Sequence, residues 1–165
     1  MGKYLILILL LFAGTAQAQL PKNTAGLPSY WTVYHSCSSA PCVWTIQKTA
    51  STTKKLNLRE LNVYCASAGT LIQERDGSAA SGNAITPKLV NPEASYTAAF
   101  TAHSASGSTG GTVIADALNV PATTNFPIDL KDIYLIGNAT TINYTIRMSA
   151  GAGNCSILAK VQQYD

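Results

Sequence analysis

The chain has little charge, little histidine and no long apolar segment beyond its first residues. Charged side chains make up 12% of the 165 residues, about half the share that is usual for a globular domain. The net charge of +3 is spread along the chain. Nucleic acids and anionic membranes are bound by clustered lysine and arginine, so neither partner is expected. The chain has only two histidines, His35 and His103, so it has few candidate residues for metal binding or acid–base catalysis.

The usual sequence signatures of catalysis are also missing. The HExxH motif, the nucleophile elbow G-x-S-x-G and a glycine-rich phosphate loop before a helix are absent. The alternative is a glycosidase pair, which would need Glu60 and Glu74 to be neighbours on adjacent strands. Each is next to an arginine, Arg59 or Arg75, which favours ion pairing across strands on the surface. We therefore expect no enzymatic activity, no cofactor and no metal.

The N-terminus has the order of a secretory signal peptide. Lys3 precedes an uncharged apolar run from Tyr4 to Ala13, and Ala16-Gln17-Ala18 supplies a small-residue cleavage site. The run is shorter than the about 20 residues that a membrane-spanning helix needs. We expect export to the periplasm, the medium or a virion surface, with no membrane span after cleavage. The predicted divisions are a signal peptide over residues 1–18, an extended arm over 19–29 and one domain over 30–165.

The four cysteines all follow the predicted cleavage site, and an even number in an exported chain predicts disulfides. A zinc site is disfavoured because Cys37 and Cys42 have no second closely spaced pair of ligands. Cys65 and Cys155 each continue the apolar, inward-facing phase of a predicted strand, whereas Cys37 and Cys42 close a small loop. This phase predicts the pairs Cys37–Cys42 and Cys65–Cys155.

Short segments rich in Val, Ile, Tyr, Thr and Leu recur between clusters of Gly, Pro, Ser and Asn, without sustained helical periodicity. This pattern predicts an all-β fold, an antiparallel two-sheet jelly-roll-like β-sandwich. A change of apolar phase near Arg59 and Glu60 indicates a β-bulge. The segments predicted as strands are 30–35, 43–48, 56–65, 70–75, 95–102, 112–120, 126–130, 132–136, 141–148 and 156–164.

Two tryptophans, Trp31 and Trp44, are candidate ligand-stacking residues, because aromatic rings on a sheet face can stack on sugar rings. Trp31 and Val33 share one phase of their strand, while Tyr30 and Tyr34 share the other, so one of these sets must be buried. The alternative is that at least one tryptophan belongs to the core. The sequence leaves both interpretations open.

From Glu60 onward, turn residues follow one another in a characteristic order and spacing. They are Gly69-Thr70, Glu74-Arg75-Asp76-Gly77, Gly82-Asn83-Ala84-Ile85-Thr86-Pro87, Leu89 and Asn91-Pro92. In this order and spacing, residues 55–165 resemble a group of small virion-associated proteins of tailed bacteriophages. The resemblance implies a jelly roll on phage heads or tails, without enzymatic activity.

The expected function is a non-enzymatic structural or binding protein of phage-virion type, on the capsid or the tail. Its expected partners are copies of itself, a particle surface or a cell surface. Phage particles assemble in the reducing cytosol, where disulfides are rare. The signal peptide and the cysteines therefore indicate a phage-derived module that is now exported, or a protein that joins its partner outside the cytosol. The alternative is an exported bacterial carbohydrate-binding or adhesion module, with a glycan as its partner.

Overall fold

A computed structural model describes residues 28–38, 42–49, 53–75, 78, 82–91, 96–104, 111–114, 117–136, 142–149 and 152–164. Within these ranges the chain forms twelve β-strands and no α-helix. The strands are β1 (Ser29–Cys37), β2 (Val43–Lys48), β3 (Lys55–Cys65), β4 (Gly69–Arg75), β5 (Asn83–Ile85), β6 (Lys88–Leu89), β7 (Phe100–Ser104), β8 (Thr112–Val113), β9 (Leu118–Val120), β10 (Phe126–Leu135), β11 (Ile142–Met148) and β12 (Cys155–Tyr164). The predicted signal peptide and most of the predicted arm lie outside the described residues, and Ser29 already belongs to β1.

The strands form two antiparallel sheets that pack face to face, which confirms the predicted sandwich. Sheet A has the order β10-β3-β12-β1-β6, and sheet B has the order β5-β7-β2-β11-β4-β8, with β9 also paired to β4. The inward side chains alternate with outward ones along each strand and fill the space between the sheets. The largest fully buried side chains include Tyr144, Leu56, Leu58, Leu61, Leu71, Leu135, Ile146 and Met148.

The strand pairing is that of a jelly roll. β1 pairs with β12, β2 with β11, β3 with β10 and β4 with β9. The first half of the chain thus wraps against the second half in reverse order, with alternate pairs in opposite sheets. The short strands β5, β6 and β7 come between β4 and β8 in the chain. β6 pairs with β1 and extends sheet A, while β7 pairs with β2 and β5 pairs with β7, which extends sheet B.

The bulge predicted from the change of apolar phase is present in β3. Lys160 of β12 lies opposite Glu60, and Val161 lies opposite Leu58, so Arg59 is the extra residue. The bulge keeps Leu58 in the core and also turns Leu61 and the residues after it inward. The two segments predicted over 126–130 and 132–136 form one strand, β10. Its pairing with β3 is irregular between Asp129 and Ile133, beside the bulge.

Two other predicted strands differ from the structure. The segment predicted over 112–120 is split into β8 and β9, which both pair with β4. The strand predicted over 95–102 begins only at Phe100. Before it, Gln163 bonds the backbone of the preceding residues, accepting from the Ala99 amide at 2.7 Å and donating to the Thr97 carbonyl at 3.1 Å. The inward face predicted for Phe100 and Ala102 is confirmed by their burial.

Both predicted disulfides are confirmed. Cys65 and Cys155 lie directly opposite each other on β3 and β12, within sheet A, and both face the core. Cys37, at the end of β1 in sheet A, is joined to Cys42, which precedes β2 in sheet B. The first disulfide therefore ties two neighbouring strands, and the second ties the two sheets.

Within the part of the chain that the structure describes, no helix has the length and apolar character required to cross a bilayer.

Candidate binding surface

The outer face of sheet A carries four exposed tyrosines. Strand β1 places Trp31 and Val33 in the core, and the alternation of side chains turns Tyr30 and Tyr34 outward, with 50% and 59% of their surface exposed. Tyr30 and Tyr34 are four residues apart on one strand, which separates them by about 13 Å.

Strands β3 and β10 supply the other two tyrosines. Cys65 faces the core, so Tyr64 faces out and is 39% exposed, and Tyr134 alternates with the buried Leu135 and is 37% exposed. All the exposed tyrosines among the described residues are on this one side of the molecule. We call this surface, with Tyr30, Tyr34, Tyr64 and Tyr134, the tyrosine face.

A neutralised ion pair occupies the middle of the tyrosine face. Lys160 of β12 donates from Nζ to Glu60 Oε2 at 2.8 Å, and Asn62 donates from Nδ2 to Glu60 Oε1 at 2.5 Å. These hydrogen bonds hold the pKa of Glu60 below its usual value. The bond from Lys160 lowers the pKa more than the bond from Asn62 does. The face thus combines aromatic rings with little uncompensated charge at its centre.

One row of residues crosses the tyrosine face from β10 to β1. Tyr134, Asn57, Gln162 and Tyr30 are successive partners on β10, β3, β12 and β1. Gln162 donates from Nε2 to the Tyr30 hydroxyl at 2.9 Å. Asn57 is fully buried, and none of the described residues hydrogen-bonds either its Nδ2 or its Oδ1. A buried polar group without a partner costs about 1–3 kcal/mol, so Asn57 is an energetic anomaly.

The structure contradicts the interpretation of Trp31 and Trp44 as ligand-stacking residues. Trp31 is 6% exposed and Trp44 is 3% exposed, so neither presents a ring face to solvent. Trp31 packs edge-on against Phe100 with ring centroids 6.0 Å apart, and its Nε1 donates to Ser29 Oγ at 3.0 Å. The tyrosines of the opposite phase are exposed instead. The alternation of β1 limited the choice to two sets, but it did not tell which set was buried.

The interpretation of Glu60 and Glu74 as neighbours is also wrong. Glu60 lies on β3 in sheet A and Glu74 on β4 in sheet B, each facing out from its own sheet. Each does form the predicted ion pair across strands, but with a different partner from the arginine beside it in sequence. Glu60 pairs with Lys160, and Arg147 donates from Nε to Glu74 at 2.7 Å. The two carboxylates therefore share no cleft.

The outer face of sheet B is packed with small hydroxyl and charged side chains. Thr45 and Thr145 lie opposite each other on β2 and β11, and their hydroxyls are 2.9 Å apart. They point away from the core and are nevertheless 1% and 0% exposed. Asn143, also on the outer side, donates to the Ser78 carbonyl at 3.1 Å, so Ser78 lies against this face. Among the described residues, this surface has no exposed aromatic ring comparable to those of sheet A.

The two histidines lie on different sheets. His35 is on β1 in sheet A, and His103 is on β7 in sheet B, where its Nε2 is 3.1 Å from Thr101 Oγ1. Among the described residues, no three His, Cys, Asp or Glu side chains are grouped as a metal site requires. A small apolar cavity between the sheets, bordered by Val33 and Tyr144, holds about one water molecule and no larger ligand.

Comparison with known proteins identifies no family for the chain. No protein-family model matches it, and no curated protein matches its sequence. The fold and the surface define the class as a disulfide-bonded jelly-roll sandwich with an aromatic face. The resemblance to phage virion proteins remains a prediction.

Proposed function

We propose that this chain is an exported, non-catalytic jelly-roll protein of phage-virion type that attaches to a particle or cell surface through the tyrosine face. The observation that carries the proposal is the grouping of four exposed tyrosines on one sheet, drawn from three strands. Exposed aromatic side chains that share one face of a protein are typical of an interaction site. Tyrosine is enriched at interfaces because its ring is apolar and its hydroxyl bonds polar groups.

The disulfides support the exported part of the proposal. Two disulfides with no free cysteine among the described residues are typical of an oxidising compartment. The protein thus meets its surface outside the cytosol. In this respect it departs from phage structural proteins that assemble inside the cell.

Cell fractionation tests the attachment. Culture of the producing cells is separated on a density gradient into cells, particles and soluble protein, and the chain is followed by mass spectrometry. We expect the wild-type chain in the particle or cell-surface fractions. The double variant Tyr30→Ser with Tyr34→Ser should move to the soluble fraction and stay folded. Both side chains are exposed, and only the hydrogen bond from Gln162 to the Tyr30 hydroxyl is lost, at a cost of about 1 kcal/mol.

The matched control is Val113→Ser, which removes an exposed apolar residue from sheet B, 57% exposed, and should leave the distribution unchanged. A wild-type chain found entirely in the soluble fraction contradicts the proposal. Equal displacement by the Val113 variant would assign attachment to a different surface.

Self-association is the second part of the proposed function. A weakly charged protein presents little long-range repulsion to its own copies, and several copies on one surface raise avidity without new contacts. Light scattering on the mature protein should give a mass above that of one chain. A strict monomer at high concentration would remove self-assembly and leave surface attachment as a property of single copies.

A carbohydrate-binding or adhesion module is the second candidate. The same tyrosine face favours it, because exposed aromatic rings on a sheet face suit the apolar faces of sugar rings. The two candidates differ in location and assembly: a virion-type protein is expected in the particle fraction as an oligomer, and an adhesion module on the cell surface as single copies.

A further inference from the structure

The row of Tyr134, Asn57, Gln162 and Tyr30 is the part of the tyrosine face with an unexplained feature. We call it the amide row, because two side-chain amides lie between two exposed tyrosines. Adjacent strands are about 4.8 Å apart, so the two tyrosines are separated by about 14 Å across three strand spacings. The row itself contains no charged residue.

Asn57 sets this row apart from the rest of the face. Its phase on β3 is outward, since Leu56 and Leu58 on either side are in the core. Its amide nitrogen and oxygen are both buried, and no described group bonds either atom. Natural proteins seldom retain such a side chain in a sheet without a reason, because an apolar residue of similar size removes the cost.

We propose that the amide row binds a neutral glycan, with a sugar ring stacked on Tyr134 or Tyr30 and neighbouring sugar hydroxyls bonded to the Asn57 amide. The inference rests on the proposed function, and it names the chemistry of the surface to which the protein attaches. A carboxamide offers a donor and an acceptor side by side, and two adjacent sugar hydroxyls offer the matching acceptor and donor. The aromatic ring faces the apolar C–H side of the sugar.

The charges around the row favour a neutral ligand over an acidic one. Lys160, on the strand beside Asn57, is already paired with Glu60 at 2.8 Å. Lys55 and Arg59 lie two residues to either side of Asn57 on β3 and are exposed. The row itself presents only amide and hydroxyl groups. Neutral hydroxyl groups complete these bonds without the desolvation of a charge.

Binding requires a side-chain movement. Asn57 has no exposed surface in the free protein, so a ligand reaches its amide only when a neighbour moves aside. Tyr134 is suited to this, because it is 37% exposed and lies on β10 at the edge of sheet A. Rotation of an exposed side chain is fast compared with binding. We therefore expect the side-chain amide resonances of Asn57 to shift on binding, together with the ring resonances of Tyr134.

The test starts with the purified mature protein on a printed array of neutral and acidic glycans. The strongest neutral glycan is then titrated by calorimetry and by NMR. Asn57→Leu should raise the melting temperature, because it removes an unpartnered buried amide, and it should weaken binding about tenfold or more. Tyr134→Ala should weaken binding to a similar degree. Tyr64→Ala is the matched control, on the same face outside the row, and should change the affinity less than about twofold.

Opposite shifts in stability and affinity for Asn57→Leu support the inference, because a merely structural asparagine would change stability alone. Unchanged affinity in Asn57→Leu overturns it. If that variant does not fold, Gln162→Met together with Tyr134→Ala makes the same test, and retained binding again overturns the inference. Binding to acidic glycans alone also overturns it. If no glycan binds while the Tyr30 and Tyr34 double variant still leaves the particle fraction, the inference fails and the proposed function stands.

Discussion

The two outer faces of the sandwich are built from strands of the same jelly roll, yet their outward side chains differ in size and in exposure to solvent. On sheet A, Tyr30 and Tyr34 expose half or more of their surface. On sheet B, Thr45 and Thr145 also point outward and are almost completely buried, with their hydroxyls bonded to each other. These outward threonines are thus small and covered, whereas the outward tyrosines of sheet A are open to solvent. The exposure of aromatic rings on sheet A is a property of this sequence and not a requirement of the fold.

The largest expected difference concerns the disulfide beneath the tyrosine face. Cys65→Ala with Cys155→Ala opens a loop of 90 residues and should lower the free energy of unfolding by about 4–5 kcal/mol. Cys37→Ala with Cys42→Ala opens a loop of 5 residues and should cost about 2 kcal/mol. Urea denaturation measures both. Equal losses would show that loop length does not govern the contribution of these disulfides.

A pair of tyrosine substitutions compares the interior with the tyrosine face. Tyr144 of sheet B is fully buried, burial raises its pKa, and its hydroxyl donates to Gln73 Oε1 at 2.6 Å. Tyr144→Phe leaves that buried acceptor without its donor and should cost about 1–3 kcal/mol. Tyr34→Phe, at an exposed position, should change stability by less than about 0.5 kcal/mol. Thermal unfolding of both variants checks this, and a costly Tyr34→Phe would contradict the free exposure of that ring.

The threonine pair tests whether the outer face of sheet B is held by a mutual hydrogen bond. Thr45→Val should cost about 1 kcal/mol, because it leaves the Thr145 hydroxyl buried without that partner. Thr45→Val with Thr145→Val should cost less than the sum of the two single variants, since neither hydroxyl then faces a methyl group in place of the other. A double-mutant cycle by urea denaturation measures the coupling. Simple additivity of the two single losses would refute it.

The smallest expected effect is the pH dependence of the ion pair on the tyrosine face. The pKa of Glu60 is lowered from 4.5 in the folded chain, so its contribution to stability is present above pH 4.5 and is lost as the pH falls through the folded pKa. The wild type should exceed Glu60→Gln slightly at neutral pH, and the two should converge in acid.

Side chains of this pair are 50% and 35% exposed, so added salt should shrink the difference between wild type and Glu60→Gln. Denaturation curves from pH 7 down to strong acid, at low and high salt, make the measurement. A difference that persists unchanged in acid would assign the effect of the substitution to packing.

Features governed by neighbouring residues were predictable from the sequence. The strand Val43–Lys48 has the predicted bounds, because its apolar and polar residues lie between clear loop signals. The bulge at Arg59 followed from a change of apolar phase, and the pairing of Cys65 with Cys155 followed from their shared inward phase. These predictions needed only the two-residue period of a strand.

Features that depend on distant segments were not predictable in the same way. The strand expected from residue 95 starts at Phe100 because Gln163, more than sixty residues away, bonds the backbone before it. Glu60 and Glu74 fell on different sheets because the chain crosses the sandwich between them. The sequence also offered Trp31 and Trp44 as candidate binding residues, and packing buried both.

The sequence by itself determined three features: side chains alternate along short strands, the cysteines form two pairs, and β1 turns either Trp31 and Val33 or Tyr30 and Tyr34 outward. Only the tertiary structure decided that Tyr30, Tyr34, Tyr64 and Tyr134 share one face, and that the Asn57 amide among them has no hydrogen-bond partner in the described part of the chain. The physical reason is that alternation assigns a side chain to one of two sides of its own strand. Which strands become neighbours, and which side meets water, is set by the packing of the whole chain.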